Sequence, residues 1–325
     1  MRRFLALLIL LAAAGLGFVL WSGTAWNQPG PQGAPVVLIA PHTPVRDIAR
    51  LLESQGNVEN AYLFEFDLRV RGLNSRIKAG EFALPPRASM ADIAAILVAG
   101  KSIQHKLTAA EGLTSQMIFK LVEADPVLTG AAGAVPGEGA LLPETYLFTR
   151  GTSRAEILSR MKKAQAAFFD PRWAARNTAL PFATPREAVI LASIVEKETA
   201  KPDERRHIAA VFINRLKSGM KLQSDPTIIY GITQGYPLGR GIKESEIQAA
   251  TPFNTYAITG LPPTPICDPG KDSLAAVLDP LDSRDLYFVA DGTGGHVFAA
   301  TMAAHVKNVQ AWRAAEKRKA AAELR

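Results

Sequence analysis

Glu196 and Glu198 directly follow an apolar run, AVILASIV at residues 188–195, and carboxylates placed there call for a physical reason. Thr184, Pro185 and Glu187 supply an N-cap, a first-position proline and a capping-box partner. The segment therefore predicts a helix from Pro185 to about Thr199, stopped before Pro202. Ionised carboxylates are stabilised near the N-terminus of a helix and not near its C-terminus. Along this helix Glu198 lies above Val195, Ile194, Leu191 and Ile190, whereas Glu196 lies above Ser193, Ala192 and Val189. The apolar stripe and the negative helix end both favour a protonated Glu198, the state a general acid needs near neutral pH. Glu196, beside Lys197 on the face of smaller residues, reads as an ion-pair or hydrogen-bond partner. The alternative is that both are solvated helix-end charges.

Downstream, LQSDPTIIYG and TPFNTYAITGLPP concentrate short polar side chains and tyrosines in what reads as turn-rich chain. Such mixtures line sugar grooves, where amides and carboxylates bond to hydroxyl and N-acetyl groups while rings stack on pyranose faces. Gln223, Asp225, Thr227, Tyr230, Asn254 and Tyr256 are the candidate substrate contacts, with Ser224 and Thr255 among them. Asx turns need the same residues, so a loop-building role stays open for Asp225 and Asn254. Glu144 in PETY reads as a turn residue, with a second active-site carboxylate as the alternative. The five histidines (42, 105, 207, 296 and 305) show no metal-ligand spacing, and no Walker, GxGxxG or nucleophile-elbow motif is present. Neither a metal nor another cofactor is expected. Cys267 is the only cysteine, so it forms no internal disulfide and reads as a small buried residue. The formal charge of +7 suits an anionic partner, but much of the excess lies in the terminal KRKAAAELR, and no nucleic-acid partner is expected.

At 325 residues and 48% hydrophobic composition the chain has material for two domains or one anchored domain with an appendage. Residues 1–21 hold two arginines and then the apolar run Phe4–Trp21. That run is longer than a signal-peptide core and at the short end of the roughly 17–25 residues that span a bilayer. It predicts a single-pass signal anchor, with Arg2 and Arg3 in the cytoplasm, Trp21 and Trp26 at the far interface, and everything after about residue 27 across the membrane. A cleaved signal peptide is the alternative and exports the body equally. SGTAWNQPGPQGAP then predicts an extended tether. VVLIA at 36–40 is a short strand, followed by a helix with Thr43 as N-cap and Pro44 at its first position. GEFALPP is a second strand, and SMADIAAILVAG a helix with Ser89 and Asp92 in capping-box positions. DIARLL and DIAAIL form a weak repeat, with QMIFKL at 116–121 a fainter copy. Such units suit a polysaccharide-binding or packing module, or a spacer. A Gly/Pro/Ala-rich loop at 126–140 precedes a helix headed by Ser153 and Glu156. PDERRHIAAVFINRLKSGM predicts another helix, and DLYFVA with HVF a hairpin.

ASIVEKET, VFINRL, LQSDPTIIYG, FNTYAITGLPPTPI, PGKDSLAAVLDP and LYFVADGTGGHVF occur in this order. Through them, residues 139–310 resemble the YceG-like (MltG) family of membrane-anchored endolytic murein transglycosylases. The earlier part is only loosely similar to that family's LysM-like subdomain. The resemblance implies an α+β chain: signal anchor and linker start at 1–26, a small LysM-like strand-helix domain at 36–104, and a mixed α/β YceG-like catalytic domain at 105–320. It implies cleavage of the β-1,4 bond between N-acetylmuramic acid and N-acetylglucosamine within peptidoglycan strands, leaving 1,6-anhydro ends and terminating nascent strand elongation. It implies a periplasmic body on the inner membrane, with peptidoglycan synthases as neighbours. It also implies that Glu198, immediately before Thr199, carries the chemistry, because transglycosylases of this kind place their acid in a Glu-Ser or Glu-Thr pair. One carboxylate suffices for that reaction, whereas a hydrolase normally needs two; Asp225 is the second if the chain hydrolyses instead. Asp268 stands where asparagine is more often expected. A non-catalytic glycan-binding scaffold and a small-molecule lyase are the competing classes. Glu198 with its polar surroundings argues against the first, and the predicted anchor against the second.

Overall fold

The computed structural model describes residues 2–323, apart from the side chains at positions 2, 3, 5–8, 16, 18–20 and 319–323. The chain divides into two compact units, Met1–Lys106 with Leu147–Gly151, and Leu107–Tyr146 with Thr152–Arg325.

The first unit opens with helix α1 (Arg2–Asn27). Among the described residues no helix is long and apolar enough to cross a membrane, so the expected anchor gains no support from them. The Arg2 and Arg3 side chains and much of the apolar run lie outside the described residues. The expected tether is also different, because residues 22–27 are the last turns of α1. Trp26 is buried, stacked 6.1 Å from Phe64 and with the Arg71 guanidinium 4.5 Å from its ring centre. A large ring buries more apolar area in a packed core than at an interface, which is why it anchors the helix end there. Backbone bonds from Gly30 to Arg87 (3.2 Å) and from Ala34 to Gln55 (3.0 Å) then pin the Gly/Pro-rich segment.

Strand β1 (Val36–Ile39) pairs antiparallel with β2 (Gly80–Ala83), Val36 opposite Ala83. Between them lie α2 (Val45–Ser54) and α3 (Ala61–Val70), and α4 (Met90–Ala99) follows. Val37, Ile39, Ile48, Leu52, Phe64, Leu68, Phe82, Ile93 and Leu97 form the core. The Ser89–Asp92 capping box is present. Thr43 does not cap α2: its hydroxyl donates to Ala40 O, Pro44 is the N-cap, and the helix starts one residue later than expected. Helix α3 lies outside the elements expected from the sequence; the Asn60 side chain caps it by accepting from Leu63 N.

Strand β3 (His105–Thr108) pairs with β4 (Thr145–Phe148). The second unit holds α5 (Ser115–Ala124), α6 (Arg154–Ala175), α7 (Pro185–Glu198), α8 (Arg205–Lys217), α9 (Asp225–Thr233), α10 (Glu244–Gln248) and α11 (Lys271–Leu278). The hairpin β5 (Tyr287–Ala290) and β6 (His296–Ala299) and then α12 (Met302–Glu323) complete it. Helix α7 is the centre of this unit. Ala188 to Val195 are all buried, against residues of α8 and α11 and the ring of Tyr230. A helix apolar on every face must lie inside the fold, and its Thr184–Glu187 capping box and Pro185 fix where it begins. Its C-terminal end is thereby fixed as well. The segment from Pro202 is not one helix but a 3-10 turn, Pro202–Glu204, running into α8. Nor is the chain after Ser224 turn-rich: Pro226 in the first turn, where its missing N–H costs nothing, starts α9.

Candidate active site

Glu198 is the last residue of α7, and Thr199 leaves the helix in an extended conformation. The buried stripe below sets the Glu198 carboxyl among apolar groups. Burial pushes its pKa up to about 7, the Asp225 charge adds to the rise, and a hydrogen bond from Ser224 opposes it. Ser224 Oγ donates to Glu198 Oε1 at 2.5 Å. Oε2 makes no hydrogen bond among the described residues. Because Oε1 is occupied by a donated hydrogen, the acid proton belongs on Oε2. The carboxyl thus offers a proton to whatever enters the cleft near neutral pH.

That cleft, about 310 Å³, is lined by Glu198, Arg215, Leu222, Gln223, Asp225, Tyr256, Phe288 and His305. A second cavity, about 460 Å³, shares Glu198 and is lined also by Glu111, Gly112, Glu196, Lys197, Thr199, Ala200 and Arg205. Three of the expected substrate contacts, Gln223, Asp225 and Tyr256, face the first cleft. Tyr256 Oη donates to Asp225 Oδ1 at 2.7 Å. Gln223 holds a positive φ of 54°, and its Oε1 lies 3.4 Å from Arg215 Nη1.

The other three lie elsewhere. Thr227 is fully buried, its hydroxyl donating to Ser224 O at 2.6 Å and lying 2.9 Å from Thr255 Oγ1. Asn254 is buried, its amide donating to Glu246, Ile247 and Ala249 carbonyls. Tyr230 points to Glu138, 3.2 Å from Oε2, and packs on Phe253. These residues shape the loop that carries Tyr256 and the helix that carries Asp225.

Sequence reasoning did not single out Arg215 or His305. Arg215 is buried and donates to the Leu286 and Leu222 carbonyls, at 2.7 and 2.8 Å, which fixes the cleft floor. His305 stacks on Tyr287 at 5.1 Å, and burial lowers its pKa. Its Nδ1 is buried with no partner among the described residues. No local pattern around His305 in the sequence marks it. Ser224, which appeared only as part of a polar cluster, directly holds Glu198.

Glu196 has a different environment. Its side chain is 5% exposed, lies 3.4 Å from Arg205 Nη2, and accepts from Gly270 N at 2.9 Å. The ion pair is therefore with Arg205, not with neighbouring Lys197, which donates to Gly112 O at 3.3 Å. Arg205 also reaches Glu111 (3.5 Å) and Asp272 (3.3 Å). A side chain at position 270 would meet the Glu111 carboxyl, which would have to move aside. Cys267 is fully buried with its thiol pKa pushed up, and Glu144 forms an exposed pair with Lys271 at 2.6 Å. Asp268 is fully buried, accepting from Leu141 N at 2.9 Å, with Oδ2 2.7 Å from Ser115 Oγ. Burial pushes its pKa up to about 8. Among the described residues no group of His, Cys, Asp or Glu has the arrangement of a metal site.

A family model described as the YceG-like family matches residues 37–311. The chain is 28% identical over 303 residues to a Streptococcus pneumoniae serotype 2 protein named endolytic murein transglycosylase, covering 79% of this chain and 54% of that protein. It is 35% identical over 173 residues to a Bacillus subtilis protein of the same name, covering 53% of this chain and 47% of that one. It thus spans about half the length of these relatives. The crystal structure of a yceG-like protein from Listeria monocytogenes aligns with a TM-score of 0.52 at 28% identity, over 84% of this chain and 97% of that one.

Proposed function

The chain belongs to the YceG-like family, and on that premise we propose that it cleaves peptidoglycan glycan strands internally as a lytic transglycosylase with Glu198 as its acid and base. The observation that carries this reading is a carboxyl that lines an open cleft, hydrogen-bonded through one oxygen only, with its pKa raised to about 7 by burial. Oε2–H protonates the O4 leaving oxygen of N-acetylglucosamine as its bond to C1 of N-acetylmuramic acid breaks. The C6 hydroxyl of the same muramic unit then attacks C1 and gives its proton to Oε2, closing the 1,6-anhydro ring and restoring the acid. No water is consumed, so no second carboxylate is required to activate one. Two cavities that share Glu198 support attack within a strand, with room for sugar on either side of the cleaved bond.

Such cleavage would end elongation of a nascent strand and set the chain beside peptidoglycan synthases. The apolar run Phe4–Trp21 with Arg2 and Arg3 before it supports anchoring to the inner membrane with the body in the periplasm. The first unit, two paired strands covered by helices, supports a LysM-like module for residues 36–104, with the catalytic domain at 105–320. The deciding experiment is muropeptide release from purified sacculi by the wild type and Glu198→Gln, with products scored by mass spectrometry. The wild type is expected to give anhydro ends, and the variant a rate lower by about 10²- to 10⁴-fold. Near wild-type release by the variant, or reducing ends from the wild type, overturns the reading.

A further inference from the structure

The product proposed above sets a stereochemical requirement. The leaving oxygen departs from the β face of C1, and the C6 oxygen bonds to that same face. Direct displacement would invert C1, so the C1–O4 bond breaks ahead of C6 attack and leaves positive charge at C1, which a group on the α face can stabilise in between. The 2-acetamido oxygen of the muramic unit can reach it, forming a C1–O bond as the C1–O4 bond breaks. The resulting ring is a cation with a polarised N–H. Glu198 cannot serve that N–H, since its free oxygen is committed to the leaving group.

Asp225 has the required properties. It is exposed on the first turn of α9, lines the same cleft as Glu198, and follows Ser224, which holds Glu198. Its Oδ1 accepts from Tyr256 Oη at 2.7 Å, and Oδ2 makes no hydrogen bond among the described residues. Tyr256 is half-buried, and burial with the Asp225 charge keeps its phenol protonated, so it stays a donor that fixes the carboxylate. Arg215, on the floor of the cleft, donates from Nε and Nη1 to carbonyls and to Gln223, and among the described residues no ion pair joins it to Asp225.

Resting on that functional reading, we propose that Asp225, held by Tyr256, accepts the N–H of the 2-acetamido group of the muramic unit undergoing cleavage and turns the acetamido oxygen onto C1. As the proton passes from Glu198 Oε2 to O4, the C1–O4 electron pair leaves with O4 and the acetamido oxygen bonds to C1. Asp225 balances the charge of the oxazolinium ring. Attack of the C6 oxygen then opens the new C1–O bond, and its proton returns to Glu198. Asp225 takes no part in the proton transfer. Its requirement for a 2-acetamido substituent restricts the substrate to N-acetylated muramic units.

The test compares the wild type, Asp225→Asn, Tyr256→Phe and Glu198→Gln on purified strands, each checked for folding by circular dichroism. Asp225→Asn is expected to lower kcat on the order of 10²-fold with KM changed only a few-fold. It should also move the alkaline limb of the pH profile to lower pH, because a negative charge that holds the Glu198 proton is lost. Tyr256→Phe, which removes one hydroxyl, should lower kcat by about 10-fold. A bicyclic thiazoline of N-acetylglucosamine, which copies the cyclised acetamido group, should bind the wild type and Glu198→Gln at least 10-fold more tightly than Asp225→Asn. Wild-type kcat and thiazoline affinity in Asp225→Asn, with Glu198→Gln inactive, overturn the proposal and leave the functional reading intact. If Asp225→Asn does not fold, unchanged kcat and thiazoline affinity in Tyr256→Phe do the same. An active Glu198→Gln overturns the functional reading itself.

Discussion

Replacing Asp268 by asparagine should stabilise the protein, and more so as pH rises. Asp268 is fully buried, and no cation pairs with it among the described residues. Ser115 Oγ lies 2.7 Å from Asp268 Oδ2 and 3.1 Å from Gly137 O. One hydroxyl hydrogen serves only one of these acceptors. A proton on Oδ2 resolves the conflict by donating to Ser115 Oγ, which then donates to Gly137. Burial raises the Asp268 pKa to about 8, the Glu138 charge adds to this, and the bonds from Leu141 and Ser115 act the other way. In the unfolded chain the group titrates near 3.8. A raised folded pKa contributes stability that is fully present below about pH 4 and lost as pH rises to about 8. At roughly 1.4 kcal/mol per pH unit, the loss at pH 7 has a ceiling of about 4 kcal/mol. Asparagine keeps the shape, donates from its amide to Ser115, accepts from Leu141, and carries no proton to lose. Asp268→Asn should therefore match the wild type near pH 4 and exceed it by about 2 kcal/mol or more at pH 8, allowing for relaxation around the buried charge. For a unit of this size that is a rise in Tm of about 4–8 °C. Thermal melts of both proteins at pH 4, 6 and 8 decide it. A stability difference that is flat or negative across this range would show that Asp268 is ionised in the fold and the donor count is wrong.

Glu198→Gln should be about 3 kcal/mol more stable than the wild type above pH 7 and equal to it near pH 4, since a carboxyl raised from 4.5 to about 7 loses stability between those values; melts across that window check it. Ser224→Ala removes a bond that favours the Glu198 anion, so the alkaline limb of the activity profile should move to higher pH, opposite to the shift expected of Asp225→Asn. Glu196→Gln should retain most activity but lower stability by about 2 kcal/mol, because it strips one partner from a buried guanidinium while Glu111 and Asp272 remain; urea unfolding reads this directly.

Local rules revealed helix ends and faces because capping and periodicity act within a few residues. The Thr184–Glu187 and Ser89–Asp92 boxes and the apolar burial of α7 are of this kind. Where two local signals compete, the sequence misleads. Thr43 can cap a helix or bond to its own turn, and in this fold Ala40 O takes its hydroxyl. Asp225-Pro226 suits a turn as well as a helix start, and the packing of Thr227 and Ile228 into the core selects the helix. Trp26 reads as an interfacial residue beside an apolar run, yet Phe64 and Arg71 lie far along the chain and only folding brings them to it. The cleft shows the same division. Glu198 stands out from its own helix, but Ser224, Arg215 and His305 reach it through the packing of α8, α9 and α12, which no short window encodes.

The two glutamates that end α7 separate for a reason that helix counting reached only halfway. Both sit at the unfavourable end of the helix dipole, so each needs compensation or must give up its charge. Glu196 is compensated by the Arg205 guanidinium and by Gly270 N–H. Glu198 has a single hydrogen bond, from a neutral hydroxyl, and its nearby carboxylate, Asp225, adds repulsion. The environment, more than the position in the helix, makes one carboxylate an ion-pair partner and leaves the other as the acid.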